Sequence, residues 1–297
     1  MESTQNREQP SLIITPTSHR SSAITYLRSL ADYQYLLKNL VRRDLTARYK
    51  NSLLGVLWSL LTPLFMMLVY TVLFTVLRPG NQIRLFYIFI LSGLVPWLFN
   101  ASTIGSGTVS VTSNASLVKK VYFPRLLLPL SAMLSSFVNF LLAFGILIVF
   151  LFISGIGITI HALWVPVILL IQMIFMLGVS MVLSALNVFY RDVRMIMDVV
   201  LLAWFFLTPV FYPLEDFNNQ AQLMGVQFDA ARIMRWINPM ASIVDGYRTV
   251  LWGTLTSDGP ASMEPLNLLR TFLTAVIVFA IGLTVFRRYE HLFGEVL

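Results

Sequence analysis

Long uncharged runs separated by short polar stretches dominate the chain. Residues 51–77, 85–118, 126–190, 199–214 and 271–286 contain no Asp, Glu, Lys or Arg. A helix of about 20 apolar residues crosses the roughly 30 Å hydrocarbon layer of a bilayer, so runs of this length predict membrane spans. The first span covers 53–77 and reaches about 37 Å as a helix, enough to cross with tilt. A turn at Pro79, Gly80 and Asn81 closes it. The second covers 85–111, and its polar positions, Gly93, Trp97, Asn100, Thr103, Gly107 and Ser110, fall on one stripe. Such a stripe faces protein or water rather than lipid. The run 126–190 is too long for one helix and divides at Ser154-Gly155-Ile156-Gly157 into spans near 126–153 and 163–190. A fifth span covers 195–213, where Pro209 bends or breaks the helix by its missing amide and ring clash. The sixth, 266–286, ends at Arg287 and Arg288.

The segments outside the spans carry patterns of their own. Residues 1–30 are rich in Ser, Thr, Gln and Pro and read as a flexible cytoplasmic tail. Over 31–52, Tyr33, Leu36, Leu37, Leu40, Val41, Leu45 and Tyr49 recur at helical spacing, with Lys38, Arg42, Arg43, Arg48 and Lys50 on the other surfaces. This predicts an amphipathic helix in the membrane interface. The segment 114–124, NASLVKKVYFP, sets paired lysines among apolar residues; it reads either as a basic inner loop or as a helix docking on a partner. The outer connection 214–265 is too long for a featureless loop. It holds an apolar run at 239–252 behind an Asn238 N-cap with Pro239 in the first helical position. That run spans only about 21 Å as a helix and enters one leaflet without crossing, which predicts a re-entrant or interfacial helical pair. Residues 291–297 form a short cytoplasmic tail.

Composition narrows the class. Of 297 residues, 57% are hydrophobic and 12% charged, whereas soluble domains carry about 25% charged residues. A soluble globular enzyme is disfavoured. With no cysteine, disulfides, thiolate metal sites and Cys nucleophiles are excluded. If both termini are cytoplasmic, 15 of the 21 Lys and Arg fall on the inner side, the bias expected of a multi-pass cytoplasmic-membrane protein. The net charge of +7 suits anionic lipid better than nucleic acid.

The chemistry is as informative for what it lacks. No glycine is followed by lysine, so the phosphate-cradling P-loop is absent and ATP hydrolysis falls to another subunit. No titratable residue sits in mid-span to couple an ion: Asp192 and Asp198 lie at the inner edge of span five and His161 in an outer turn. Asn139, Gln172 and Asn187 read first as interhelical hydrogen-bond partners. The only close carboxylate pair, Glu215 and Asp216, reads as a solvated turn. No cofactor or metal is expected in this chain. A passive pore or scramblase remains compatible.

Six segments in order carry a family signature: RRDLTARYKNSLLGVLWSLLTPL (42–64), SGLVPWLFN (92–100), LVKKVYFPRLLLP (117–129), LNVFYRDVR (186–194), FFLTPVFY (205–212) and INPMASIVDGYR (237–248). The set resembles the permease subunits of bacterial ABC transporters that export O-antigen, teichoic acid or capsular polysaccharide. The resemblance implies an all-α membrane protein with six spans per protomer. It implies a homodimer that pairs with two copies of a nucleotide-binding subunit, which holds ATP and Mg. It maps a coupling helix onto Ser116, Leu117, Val118, Lys119, Lys120, Val121 and Tyr122, and a short inner loop onto Tyr190, Arg191, Asp192, Val193 and Arg194. Short outer helices between spans five and six would gate the exit, and an undecaprenyl-linked glycan is the implied substrate. Within the transporter class, small-lipid or drug export is the runner-up.

Sugar rings offer apolar C–H faces and hydroxyl edges, so aromatic rings with polar tips suit a wall along which a glycan slides. In span five, Asp198, Phe205, Thr208 and Tyr212 form one stripe; Trp58, Thr62 and Phe65 share a face of span one, and Trp97 and Asn100 begin a stripe in span two. Lipid-belt and core packing compete with this reading. Arg42, Arg43, Arg48 and Lys50 could receive a lipid pyrophosphate, although attraction to anionic lipid explains them equally well.

Overall fold

The computed structural model describes Tyr26 and residues 30–77, 83–214, 221–223, 226–228 and 230–297. Most of the tail 1–30, the turn at Pro79, Gly80 and Asn81, and the Glu215-Asp216 pair lie outside the described residues.

The chain opens with α1 (Gln34–Tyr49). Leu40 is buried and Leu36, Leu37, Val41 and Leu45 are half-buried, while Lys38, Arg42, Arg43, Arg48 and Lys50 are exposed. The amphipathic face is therefore the one that the spacing predicts, and α1 lays it against α5 (Leu127–Ile153). Asn51, in the left-handed region at φ 59, lies in the turn after α1, and α2 (Leu57–Leu77) starts four residues later than expected. Its apolar side chains, including Leu68, Val69, Val72 and Val76, are largely exposed.

The next helix, α3 (Phe86–Val109), forms the core. Its polar stripe faces protein: Trp97 packs edge-on against Trp204 at 6.0 Å, and a side chain at Gly107 would meet Ser180. After the short α4 (Ala115–Lys120), α5 ends at the expected break, where Gly155 and Gly157 take φ of 76° and 68°. α6 (Val165–Phe189) packs along α10 (Pro265–Tyr289). Their backbones come so close that a Cβ on Gly178 would lie 2.7 Å from the Phe279 backbone, and one on Gly282 would meet the Gly178 carbonyl. Small residues permit such an approach between membrane helices.

The fifth predicted span is the main difference. Its helix, α7 (Asp192–Phe206), begins earlier than 195 and stops well before 213. Pro209 has no amide to continue the ladder and its ring excludes the preceding turn. At 15 residues, α7 is about 22 Å long, short of the hydrocarbon layer. Among the described residues, five helical segments are long and apolar enough to cross a membrane, and α7 is not one of them. A second difference is a two-stranded antiparallel hairpin, β1 (Ala221–Leu223) and β2 (Val226–Phe228), with Ala221 opposite Phe228. Then come α8 (Ala230–Ile237) and α9 (Pro239–Leu251). The Asn238 side chain caps α9 as the sequence predicts, accepting from the Met240 and Ala241 amides at 3.0 and 3.3 Å. Met240, Ala241, Val244 and Tyr247 are fully buried, against α3, α6 and α10.

Both described ends of the chain lie at one end of the bundle. Leu40, Val118, Phe123, Phe286 and Phe293 share a core there, and the Tyr26 hydroxyl donates to Glu290 Oε2 at 2.7 Å. The terminal segment folds into this core as α11 (Phe293–Val296), with Phe293 fully buried. At the opposite end the Trp252 indole donates to the Arg84 carbonyl at 2.8 Å.

Candidate functional site

At the end that holds both termini, α4 is a single short helix anchored by Val118, which is buried in the core built around Phe293. Leu117 is half-buried beside it. Once those two point inward, Ser116, Lys119, Lys120, Val121 and Tyr122 are left in the open, with Tyr122 87% exposed. The turn between α6 and α7 lies at the same end: Phe189 meets the Phe293 ring at 6.4 Å, and Tyr190, Arg191 and Asp192 are exposed. Two separate segments thus flank α11 and present lysines, an arginine and two tyrosines.

A second feature is a cleft of about 350 Å³ where α1, α2, α3 and α5 meet. It brings Arg48, Trp58 and Thr62 together with Tyr49, Ser102 and Asn139. Phe65 is not part of it and stands on the outward face of α2, 57% exposed. Arg42, Arg43 and Lys50 are exposed outside the cleft, and Arg43 pairs with its neighbour Asp44 at 2.7 Å.

The other predicted channel-wall residues lie mostly inside the bundle. Trp97, Asn100, Phe205 and Thr208 are buried. The Trp97 and Phe205 rings are 5.6 Å apart, and Thr208 accepts from Asn238 Nδ2 at 3.0 Å. Tyr212 is half-buried and its hydroxyl donates to the Phe206 carbonyl at 3.0 Å. The face of α7 that stays open holds Asp198 with Met195, Ile196, Val199, Leu202 and Phe206. The orientation is fixed by Trp204, whose indole donates to Asn238 Oδ1 at 2.8 Å.

Sequence reasoning passed over Arg248. It is 3% exposed, donates through Nη2 to the Pro209 and Val210 carbonyls at 2.8 and 2.9 Å, and lies 3.7 Å from the centre of the Phe89 ring. A side chain at Gly93 would come within 2.9 Å of Nη2. The break at Pro209 frees carbonyls that need donors in an apolar setting. Asn238 serves the Leu207 carbonyl at 3.1 Å and Arg248 serves those of Pro209 and Val210. A proline late in one apolar run and an arginine inside another are the sequence signals for this pairing.

Among the described residues, no group of three or more His, Asp or Glu could hold a metal ion. The sequence pattern of the ABC-2 type transporter family matches residues 35–252. The chain is 35% identical over 267 residues to the O-antigen export system permease protein RfbA of Myxococcus xanthus, covering 90% of this chain and 98% of that one. An O-antigen export system permease protein RfbA of Klebsiella pneumoniae is 31% identical over 266 residues, covering 88% and 95%. With the apolar helical bundle, these matches establish that the chain belongs to the ABC-2 type transporter family of membrane proteins.

Proposed function

We propose that this chain is the permease subunit of an ATP-driven exporter that moves a lipid-linked, O-antigen-like glycan across the bacterial cytoplasmic membrane. It works as a homodimer with a separate ATPase subunit that holds ATP and Mg. The observation that carries the reading is the exposed basic and aromatic face of α4 and the turn at Tyr190, Arg191 and Asp192, in a chain with no P-loop. Such a face suits docking, because Tyr and Arg dominate interface energetics. Val118 and Phe293 link it to the spans, so a displacement there is passed on to α10 rather than lost in a loop.

Topology supports six crossings. With the ends of α1, α6, α10 and α11 gathered at one end of the bundle, the number of passages is even. The sixth therefore falls to α7 and the irregular stretch through Leu214, whose freed carbonyls Arg248 and Asn238 satisfy. The basic flank of α1 supports a cytoplasmic location for that end, and its amphipathic face suits the membrane interface. The exposed apolar faces of α2 and α7 meet lipid or the second protomer; Phe65 stands on that surface and Trp58 and Thr62 line the cleft beside it, with Phe205 and Thr208 in the layer behind. ATP-driven approach of the ATPase subunits would move α4 and part the protomers there. The β1–β2 hairpin, α8 and α9 lie on the exit side.

The test is co-purification. Replacing Lys119 and Lys120 with Glu is expected to abolish capture of the ATPase subunit and export together. Undiminished capture and export in that variant would refute the docking face. A passive scramblase would need no ATPase and would move lipid without it.

A further inference from the structure

The cleft between α1, α2, α3 and α5 has contents more specific than its position requires. Its volume of about 350 Å³ falls within the roughly 300–1,000 Å³ of sites for small ligands. Trp58, 50% exposed, offers a ring at the mouth, and the buried rings of Phe99 and Phe140, 4.9 Å apart, form the wall. Arg48 Nη1 lies 3.5 Å from Ser102 Oγ, which shares a 3.0 Å hydrogen bond with Ser136 Oγ. Asn139 accepts from the Tyr49 hydroxyl through Oδ1, while its Nδ2 is buried with no hydrogen-bond partner among the described residues. Buried donors are seldom left so, and this one belongs to a residue that lines the cleft. No acidic residue is among those that line the cleft.

The geometry points to this cleft as the subsite for the phosphate-proximal sugar of a polyprenyl diphosphate-linked glycan. A sugar ring lays its apolar C–H face on Trp58 and offers hydroxyl oxygens to Asn139 Nδ2 and to the Ser102–Ser136 pair. The Arg48 guanidinium then meets the adjoining phosphate. A choline or ethanolamine headgroup would bring a cation next to Arg48 with no carboxylate to balance it. The inference rests on the exporter reading and deepens it: the chain reads the first sugar as well as the lipid phosphate.

The full chain with its ATPase subunit, in nanodiscs, is titrated with three probes and followed by native mass spectrometry. These are undecaprenyl diphosphate carrying one N-acetylhexosamine, undecaprenyl diphosphate alone, and free glucose 1-phosphate. The sugar-bearing lipid is expected to bind about tenfold more tightly than the bare lipid, the scale of one well-placed polar contact. Asn139→Leu erases that preference without changing affinity for the bare lipid, and so does Trp58→Leu, whose half-exposed site leaves the packing intact. Arg48→Gln weakens both lipids. Equal affinity of the wild type for both lipids, or a preference that survives both substitutions, overturns the subsite while leaving ATP-driven export standing. Glucose 1-phosphate competing as well as the lipid-linked sugar overturns the lipid-linked source. If neither lipid binds and the complex exports nothing, the exporter reading falls with it.

Discussion

Arg248 donates to the Pro209 carbonyl at 2.8 Å and so ties α9 to the break that ends α7. The same nitrogen serves Val210 at 2.9 Å, and the guanidinium lies over the Phe89 ring. Replacing Arg248 with Met keeps the stem and removes the donors, at about 1–3 kcal/mol for each carbonyl left buried without a partner. The purified variant is expected to melt several degrees lower than the wild type. Arg248→Lys should recover only part of the loss, since one ammonium cannot reproduce the planar fork. A melting temperature unchanged in both variants would show that the carbonyls find other donors.

The packing of α6 on α10 makes a second prediction. Because a Cβ at Gly178 would lie 2.7 Å from the Phe279 backbone, Gly178→Ala must push the helices apart rather than nudge a flexible side chain. Overpacking of this kind costs about 1–3 kcal/mol. Gly145→Ala is the control, since nothing lies within 4 Å of a Cβ there. Thermal melting of the two variants should separate them, with Gly145→Ala close to the wild type.

Much of this architecture is legible in the sequence, for reasons that can be named. Charge gaps locate α2, α3, α5, α6 and α10 because burying a charge in hydrocarbon is costly. The Asn238-Pro239 pair marks the start of α9 because cap chemistry is local. Pro209 marks a bend or break in α7, but not that the helix stops outright before it: that depends on carbonyls met by Arg248, 39 residues later. Periodicity gave Phe205 and Thr208 a common face but could not say that Trp204 and Asn238 turn it inward. The cleft was hidden for the same reason, since Arg48, Trp58, Ser102 and Asn139 come from four different helices. The hairpin was signalled only by Gly225 between two short runs.

Tyr26 gives a pH-dependent prediction. Burial, followed by the neighbouring Glu290 carboxylate, pushes its phenol well above the ordinary range, against a smaller opposing effect of Arg287. A folded-state pKa above the unfolded one means that stability from this contact is complete below the unfolded value of about 10 and is lost as pH rises through the folded value. Tyr26→Phe should therefore lower the melting temperature by the same amount between about pH 6 and pH 9, above the range in which carboxylates titrate. A difference that shrank on moving from pH 9 toward pH 6 would contradict this assignment.

Phe293 and Tyr122 separate structure from docking at the end that holds the termini. Phe293 is fully buried against Phe286 at 5.3 Å and shares its core with Val118 of α4. Phe293→Ala should cost about 3–5 kcal/mol and loosen the seat of α4, lowering the melting temperature and the transport-coupled ATPase rate together. Tyr122, 87% exposed, holds nothing in place within the protomer, so Tyr122→Ala should leave melting unchanged. Truncating an exposed aromatic that fills a partner's pocket costs about 2 kcal/mol or more, roughly a thirtyfold loss of ATPase-subunit affinity. Titrating the ATPase subunit onto nanodisc-held permease reads this directly. Should Tyr122→Ala bind like the wild type, Tyr122 is not an anchor of the contact, whatever Phe293→Ala does.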